Sequence, residues 1–125
     1  MSQPFRFRVH GHGPAGTPGR EEWDLPAPRP GWVRVRLRAM ALNHLDVWTI
    51  VGVEGVKVPL PLTPGSDGAG EVEAVGEGSV LPPGVAPGSS VFLAPGLSCG
   101  ACGECLRGND MRCASYKVLG HGCDG

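Results

Sequence analysis

The sequence predicts a mainly β, loop-rich domain with one short helix and a metal-stapled lobe near its C-terminal end. Three observations carry this: runs of alternating apolar and polar residues, Gly/Pro breaks between them, and four closely spaced cysteines. The 21 glycines and 13 prolines of the 125 residues approach a disordered composition, but the local alternation argues for folded strands. A chain of this length has room for one domain with a modest core.

In chain order, residues 5–9 (F-R-F-R-V) alternate and predict a first strand. After the break P-A-P-R-P-G at 26–31, residues 32–41 (W-V-R-V-R-L-R-A-M-A) set Val33, Val35, Leu37 and Ala39 against Arg34, Arg36 and Arg38, the pattern of a half-buried strand with solvated arginines. Residues 43–51 predict the helix, with Asn43 as N-cap and Leu45, Trp48 and Val51 or Gly52 along one side. Residues 69–75 and 90–94 supply two further strands, separated by the L-P-P-G break at 81–84.

Cys99, Cys102, Cys105 and Cys113 follow the pattern C-x2-C-x2-C-x7-C in a Gly-rich stretch. Thiols give up protons to a divalent metal, and four of them close a tetrahedral structural zinc site. A disulfide framework favours an even count in a secreted chain, whereas five cysteines stand here without an apolar leader. The bacterial iron–sulfur run has three residues and a following Pro at its fourth cysteine, against seven residues and Ala114 here. A redox role for Cys99 and Cys102 calls for a thioredoxin-like βαβ setting, for which the pattern gives no sign. Cys123 is left over and reads as a free, reduced thiol.

The net charge of −1 gives no global pull toward nucleic acid or an anionic membrane. No long apolar run is present, and with thiols best used reduced this points to the cytoplasm. Two G-x-G-x-x-G matches, 11–16 and 120–125, lack the strand before and helix after that a dinucleotide fingerprint needs, and are read as decoys.

Several segments together resemble a known family. P-x-P-x-P-G at 26–31, the strand that follows into Leu42 and Asn43, P-G-S-D-G-A-G-E-V-E-A-V-G at 64–76, P-G-S-S-V-F at 87–92 and the cysteine lobe are similar, in order, to the N-terminal part of medium-chain alcohol dehydrogenases and quinone oxidoreductases. The resemblance implies a GroES-like, partly open β-barrel over residues 1–125, incomplete, with a structural zinc lobe at 95–115 held by the four cysteines. It further implies a nicotinamide cofactor, NADH or NADPH, and a small-molecule substrate. The Rossmann domain that would hold the cofactor is not found in these residues, so the chain is expected to be an N-terminal portion, without turnover alone, and either a monomer or loosely self-associated through exposed strand edges.

Zinc-dependent members surround a second, catalytic zinc with a Cys and a Gly-His-Glu segment. By resemblance Asn43 stands at the thiolate position, Ser66 at the imidazole position, Asp67 beside it, and Leu45 at the proton-relaying hydroxyl. An amide and a hydroxyl are poor zinc ligands beside thiolate or imidazole. The substitutions resemble the zinc-independent quinone oxidoreductase branch, where hydrogen-bond donors must meet the charge developing on a quinone, enone or carbonyl oxygen. On this reading Asn43 is the donor, Asp46 orients it, Ser66 and Asp67 complete the site, and His44 contacts the cofactor pyrophosphate. Bland roles stand beside these: Asn43 and Asp46 as helix-capping groups and His44 as a surface residue. Two other functions remain open, a zinc-dependent alcohol dehydrogenase with Asp67 as an atypical ligand, and a free-standing zinc-stabilised scaffold.

Overall fold

The computed structural model describes residues 3–125. Strand β1 (Phe5–Arg8) pairs antiparallel with β2 (Gly19–Glu22), placing Phe5 opposite Glu22 and Arg8 opposite Gly19. β2, sequence G-R-E-E, was not foreseen, because four residues with no apolar member carry no strand period; its Arg20 lies over the Phe5 ring, 4.2 Å from the centroid. Strand β3 (Val33–Ala41) pairs with β4 (Asp67–Val75), and β4 with β5 (Ser90–Phe92), giving a three-stranded antiparallel sheet. Two-residue strands β6 (Gly96–Leu97) and β7 (Lys117–Val118) form a ribbon at the base of the cysteine lobe. The fold is thus mainly β with open sheets, as expected. No helix among the described residues is long and apolar enough to cross a membrane.

The expectation for β3 needs correction on both faces. Register shifts between Arg34 and Val35 and between Leu37 and Ala39 break the two-residue period, and Leu37 is 46% exposed where the alternation put it inside. Its arginines are paired rather than merely solvated: Arg34 Nε lies 2.7 Å from Glu73, Arg36 also bonds Glu73, and Arg38 lies 3.1 Å from Glu71. The hydrogen bond and charge of Arg36, with Arg34 behind it, hold the Glu73 carboxyl below the usual carboxylate range.

The fully enclosed core is small. Val9 and Leu62 are 0% and 2% exposed and exchange backbone hydrogen bonds of 2.8 and 3.0 Å, which ties the N-terminal ribbon to the segment ahead of β4. Helix α1 (His44–Val51) packs against the 3-10 turn Gly13–Gly16. Its buried residues are Asp46 and Thr49, not the Leu45–Trp48 side that the periodicity suggested. The inward side is polar because it meets backbone and imidazole groups of residues 120–121 rather than an apolar layer.

Both glycine motifs have packing roles. Gly13–Gly16 makes a 3-10 turn leading to β2, and a Cβ on Gly16 would collide with the Ile50 carbonyl oxygen at the end of α1. The second motif curls against Gly65: Gly120 has a φ of 75°, and a Cβ on it or on Gly125 would strike the Gly65 backbone. Neither forms the strand–turn–helix unit of a dinucleotide site.

Candidate metal centre and catalytic cluster

The four predicted cysteines converge. Cys99 follows β6, Cys102 precedes and Cys105 lies within the short helix α2 (Gly103–Leu106), and Cys113 follows a 3-10 turn at Asp110–Arg112. Their sulfurs all lie within 4.8 Å of one another, with Cys102 to Cys105 at 3.4 Å and Cys99 to Cys105 at 3.9 Å. One zinc at about 2.3 Å from each sulfur sets tetrahedral S···S separations of about 3.8 Å. The spacing therefore fits a single ion and leaves no room for a multi-iron cluster. No disulfide joins the five cysteines, and Cys123 stands apart from the four.

Backbone amides are aimed at the sulfurs before any metal is considered. The Cys102 amide donates to Cys99 Sγ at 3.3 Å, and the Cys99 and Ser115 amides to Cys113 Sγ at 3.5 and 3.4 Å. The Ala101 and Cys102 amides lower the Cys99 thiol to about 6, so it favours the thiolate. At Cys102 the Cys105 amide also lowers the thiol, but burial and the neighbouring thiols raise it further, so the net shift is upward. Burial raises Cys105, yet bonds from Cys102 and Ser98 prevail and lower it. Such an uneven, mutually opposing set is what one divalent ion resolves by ionising all four.

The second group of predicted residues lies around the start of α1. Asn43 Nδ2 donates to Asp67 Oδ2 at 2.8 Å, an amide orientation fixed because a carboxylate can only accept. Asp46 turns back so that Oδ2 accepts the Asn43 backbone N–H at 2.7 Å, half of a capping box. Its other oxygen is enclosed with no partner among the described residues, in a residue only 4% exposed. That oxygen calls for a donor such as an ordered water. The structure thus unites Asn43, Asp46 and Asp67. Ser66 faces elsewhere: it is buried, and its hydroxyl donates to the Leu119 carbonyl at 2.7 Å. His44 lies tilted against Trp48, ring centroids 5.0 Å apart, and makes no hydrogen bond among the described residues.

As a set these donors do not suit a catalytic zinc. Thiolate and imidazole are missing from it, the amide and one carboxylate oxygen bond each other, and the hydroxyl is spent on a backbone carbonyl.

Sequence reasoning passed over three residues that the fold brings together, Thr49, His121 and His12. Thr49 Oγ1 lies 2.8 Å from the Leu45 carbonyl and 2.9 Å from His121 Nδ1, and His12 Nδ1 lies 3.1 Å from the Thr49 carbonyl. His12 thereby meets a carbonyl that the end of α1 leaves without a helical partner. Both histidines sit in the G-x-G motifs, and the only signal for them was an imidazole in each otherwise small-residue turn.

The alcohol dehydrogenase GroES-like domain family matches residues 29–125. An alcohol dehydrogenase of Moraxella sp. (strain TAE123) is 36% identical over 106 residues, which cover 84% of this chain and 30% of that protein. Among solved structures, an NAD-dependent alcohol dehydrogenase superposes with a TM-score of 0.84 at 44% identity, covering 98% of this chain and 35% of that one. A thermostable alcohol dehydrogenase from Pyrobaculum aerophilum, solved with cobalt and zinc bound, gives a TM-score of 0.80 at 31% identity, over 97% of this chain and 36% of that one. The chain therefore spans about a third of the length of these relatives.

Proposed function

This chain belongs to the alcohol dehydrogenase GroES-like domain family, and on that premise we propose that it is the N-terminal part of a zinc-binding, NAD(P)-dependent oxidoreductase. The reaction proposed is hydride transfer to a quinone, an enone or a carbonyl, without a catalytic zinc. Residues 1–125 form an incomplete GroES-like catalytic domain, with 95–115 as its structural zinc lobe.

The observation that carries this reading is the Asn43–Asp67 pair. Asp67 takes one N–H of the Asn43 amide at 2.8 Å and so fixes its plane, leaving the second N–H to donate to a substrate oxygen. Asp46 holds the Asn43 backbone from the other side. As the substrate oxygen gains negative charge, a donor already oriented strengthens its bond with no reorganisation. That help suits a quinone or enone, whose product anion is delocalised, better than a simple alcohol, whose oxidation benefits from a Lewis acid. Ser66 supports the site from behind by pinning the 119 carbonyl. His44, tilted against the Trp48 ring and without a hydrogen bond among the described residues, is offered to a cofactor phosphate. The nicotinamide, when bound, supplies the hydride; these residues bind, orient and hydrogen-bond the acceptor.

The test has two arms. Elemental mass spectrometry on the dialysed chain should give one zinc and no iron; two zincs would move the assignment to zinc-dependent alcohol chemistry. The longest product of the coding sequence should oxidise NADH or NADPH with a quinone or enone, and Asn43→Ala should lower kcat about 100-fold, the scale of one lost oxyanion donor. Unchanged kcat in that variant would remove Asn43 from the reaction.

A further inference from the structure

The cysteine lobe holds its four sulfur-bearing residues at unequal depth. Cys113 is buried at 6% exposure, Cys102 and Cys105 are half-buried, and Cys99 is exposed. Residues 98–101 are exposed throughout. Beyond its chain neighbours, nothing comes within 4 Å of where a Cβ on Gly100 would stand, so the space beside Cys99 is open. Cys105 Sγ lies 3.9 Å from Cys99 Sγ. Zinc has no redox chemistry of its own, so any electrons that such a site gives up come from sulfur. An accessible sulfur with a second one beside it is the arrangement in which oxidation runs on from sulfenic acid to a disulfide.

We propose that Cys99 is an oxidation site, at which hydrogen peroxide joins Cys99 to Cys105 and strips the lobe of its zinc. The Cys99 sulfur attacks one peroxide oxygen and the O–O bond breaks. Cys99 becomes a sulfenic acid, and the other oxygen leaves as hydroxide and takes a proton to form water. Cys105 Sγ then attacks the Cys99 sulfur, and the displaced hydroxyl takes a second proton and leaves as water. Two electrons have passed from the sulfur pair to the peroxide, and both protons come from solvent. Cys102 and Cys113 remain, half of the ligand set, so zinc affinity falls about 10⁴- to 10⁶-fold if the four ligands contribute equally. Leu106 and Met111, 75% and 80% exposed, give the lobe no apolar interior to stand on without its metal. Residues 98–116 therefore open while β3 and β4 stay folded. A dithiol reductant reverses the disulfide by exchange, and added zinc restores the lobe. Cys123, outside the group of four, has no part in the step. The proposal needs the zinc of the lobe but neither cofactor nor turnover, so it stands apart from the reaction proposed above.

The experiment treats the zinc-loaded chain with one equivalent of hydrogen peroxide in the presence of a chromogenic zinc indicator. Samples are stopped early by acid, which halts exchange by protonating thiolates. Remaining thiols are blocked with one alkylating reagent, disulfides are reduced, and the sulfurs so released take a second, isotopically distinct reagent. Mass spectrometry should place the second label on Cys99 and Cys105 and the first on Cys102, Cys113 and Cys123. Zinc should appear in step with the loss of two thiols, and dithiothreitol with added zinc should restore both the thiols and the metal. Cys123→Ser should release zinc at the parent rate. A second label on Cys102 and Cys105, the pair at 3.4 Å, would place the oxidation elsewhere than Cys99 and overturn the proposal. Zinc retained after the peroxide is consumed, or release that depends on Cys123, would overturn it equally.

Discussion

Replacing Cys105 by Ser tests what holds the lobe together. The segment carrying the four sulfurs has almost no apolar interior: of its larger side chains Leu106 is 75% and Met111 80% exposed, and Cys113 alone, at 6%, is buried. Its helix α2 has 4 residues, far short of the roughly 12–15 at which isolated helices become marginally stable. The backbone hydrogen bonds from Leu106 through Tyr116 all close on residues 102–113, so the surrounding sheets lend them no support. The metal is left as the dominant stabiliser, with an apparent folding contribution of about 10–16 kcal/mol for a structural zinc. An equal quarter of that, about 2.5–4 kcal/mol, corresponds to a loss of about 10² to 10³ in zinc affinity. Competition with a chromogenic chelator at neutral pH should read that loss, and amide exchange should accelerate across 98–116 while β3 and β4 stay protected. A variant that keeps zinc within about tenfold of the parent, with the lobe amides still protected, would refute the reasoning, since it would mean the lobe folds on contacts other than its metal.

The remaining predictions concern the core, one tight contact and acid. Leu62→Ala empties a site 2% exposed and should cost about 3 kcal/mol, near the low end for buried leucines, read as a Tm fall of roughly 10 °C; a fall under about 3 °C would show that residues around Val9 collapse into the space. Gly76→Ala drives a methyl into the Arg29 carbonyl oxygen, a backbone atom that cannot swing aside, and should destabilise by at least about 2 kcal/mol in urea unfolding. Acid should strip the zinc only below the Cys99 value of about 6. The sign follows because a thiol lowered in the folded state contributes above its unfolded value and loses that contribution as pH falls through the folded one, with zinc itself pushing the transition lower. Half-release at or above neutral pH, followed by a zinc indicator, would contradict the amide arrangement around Cys99.

The parts readable from sequence were those whose cause is local. C-x2-C-x2-C-x7-C specifies a metal site by ligand type and spacing, and the four sulfurs do converge. Asn43 caps α1 because cap chemistry is settled within four residues, and Asp46 answers it at N3. What escaped depends on partners far along the chain. β2 is a strand because Phe5–Arg8 offers it an edge, not because G-R-E-E has strand character. The inward side of α1 was misassigned because periodicity sees Leu45 and Trp48 but cannot see that residues 120–121 present polar groups to Thr49. The Asn43–Asp67 bond joins residues 24 apart, so sequence could nominate both and say nothing of their contact.

The way the last residues close over Gly65 has a consequence for how the chain acquires its structure. Thr49 meets His121 across a separation of 72 positions, Arg8 meets Asp124 across 116, and Ser66 meets Leu119 across 53. Contacts so distant in sequence are slow to find one another, because the intervening loop must lose its freedom before anything is gained. On a ribosome the first helix therefore emerges long before the imidazole that its buried hydroxyl needs. Until then Thr49 and Asp46 must remain with water, and the helix has no reason to settle inward. The cysteine lobe, whose ligands span fifteen positions from first to last, can take up its metal in that interval. Synthesis would then run in the order lobe first, core last, with the Thr49–His121 contact closed only as Gly120 reaches its place against Gly65.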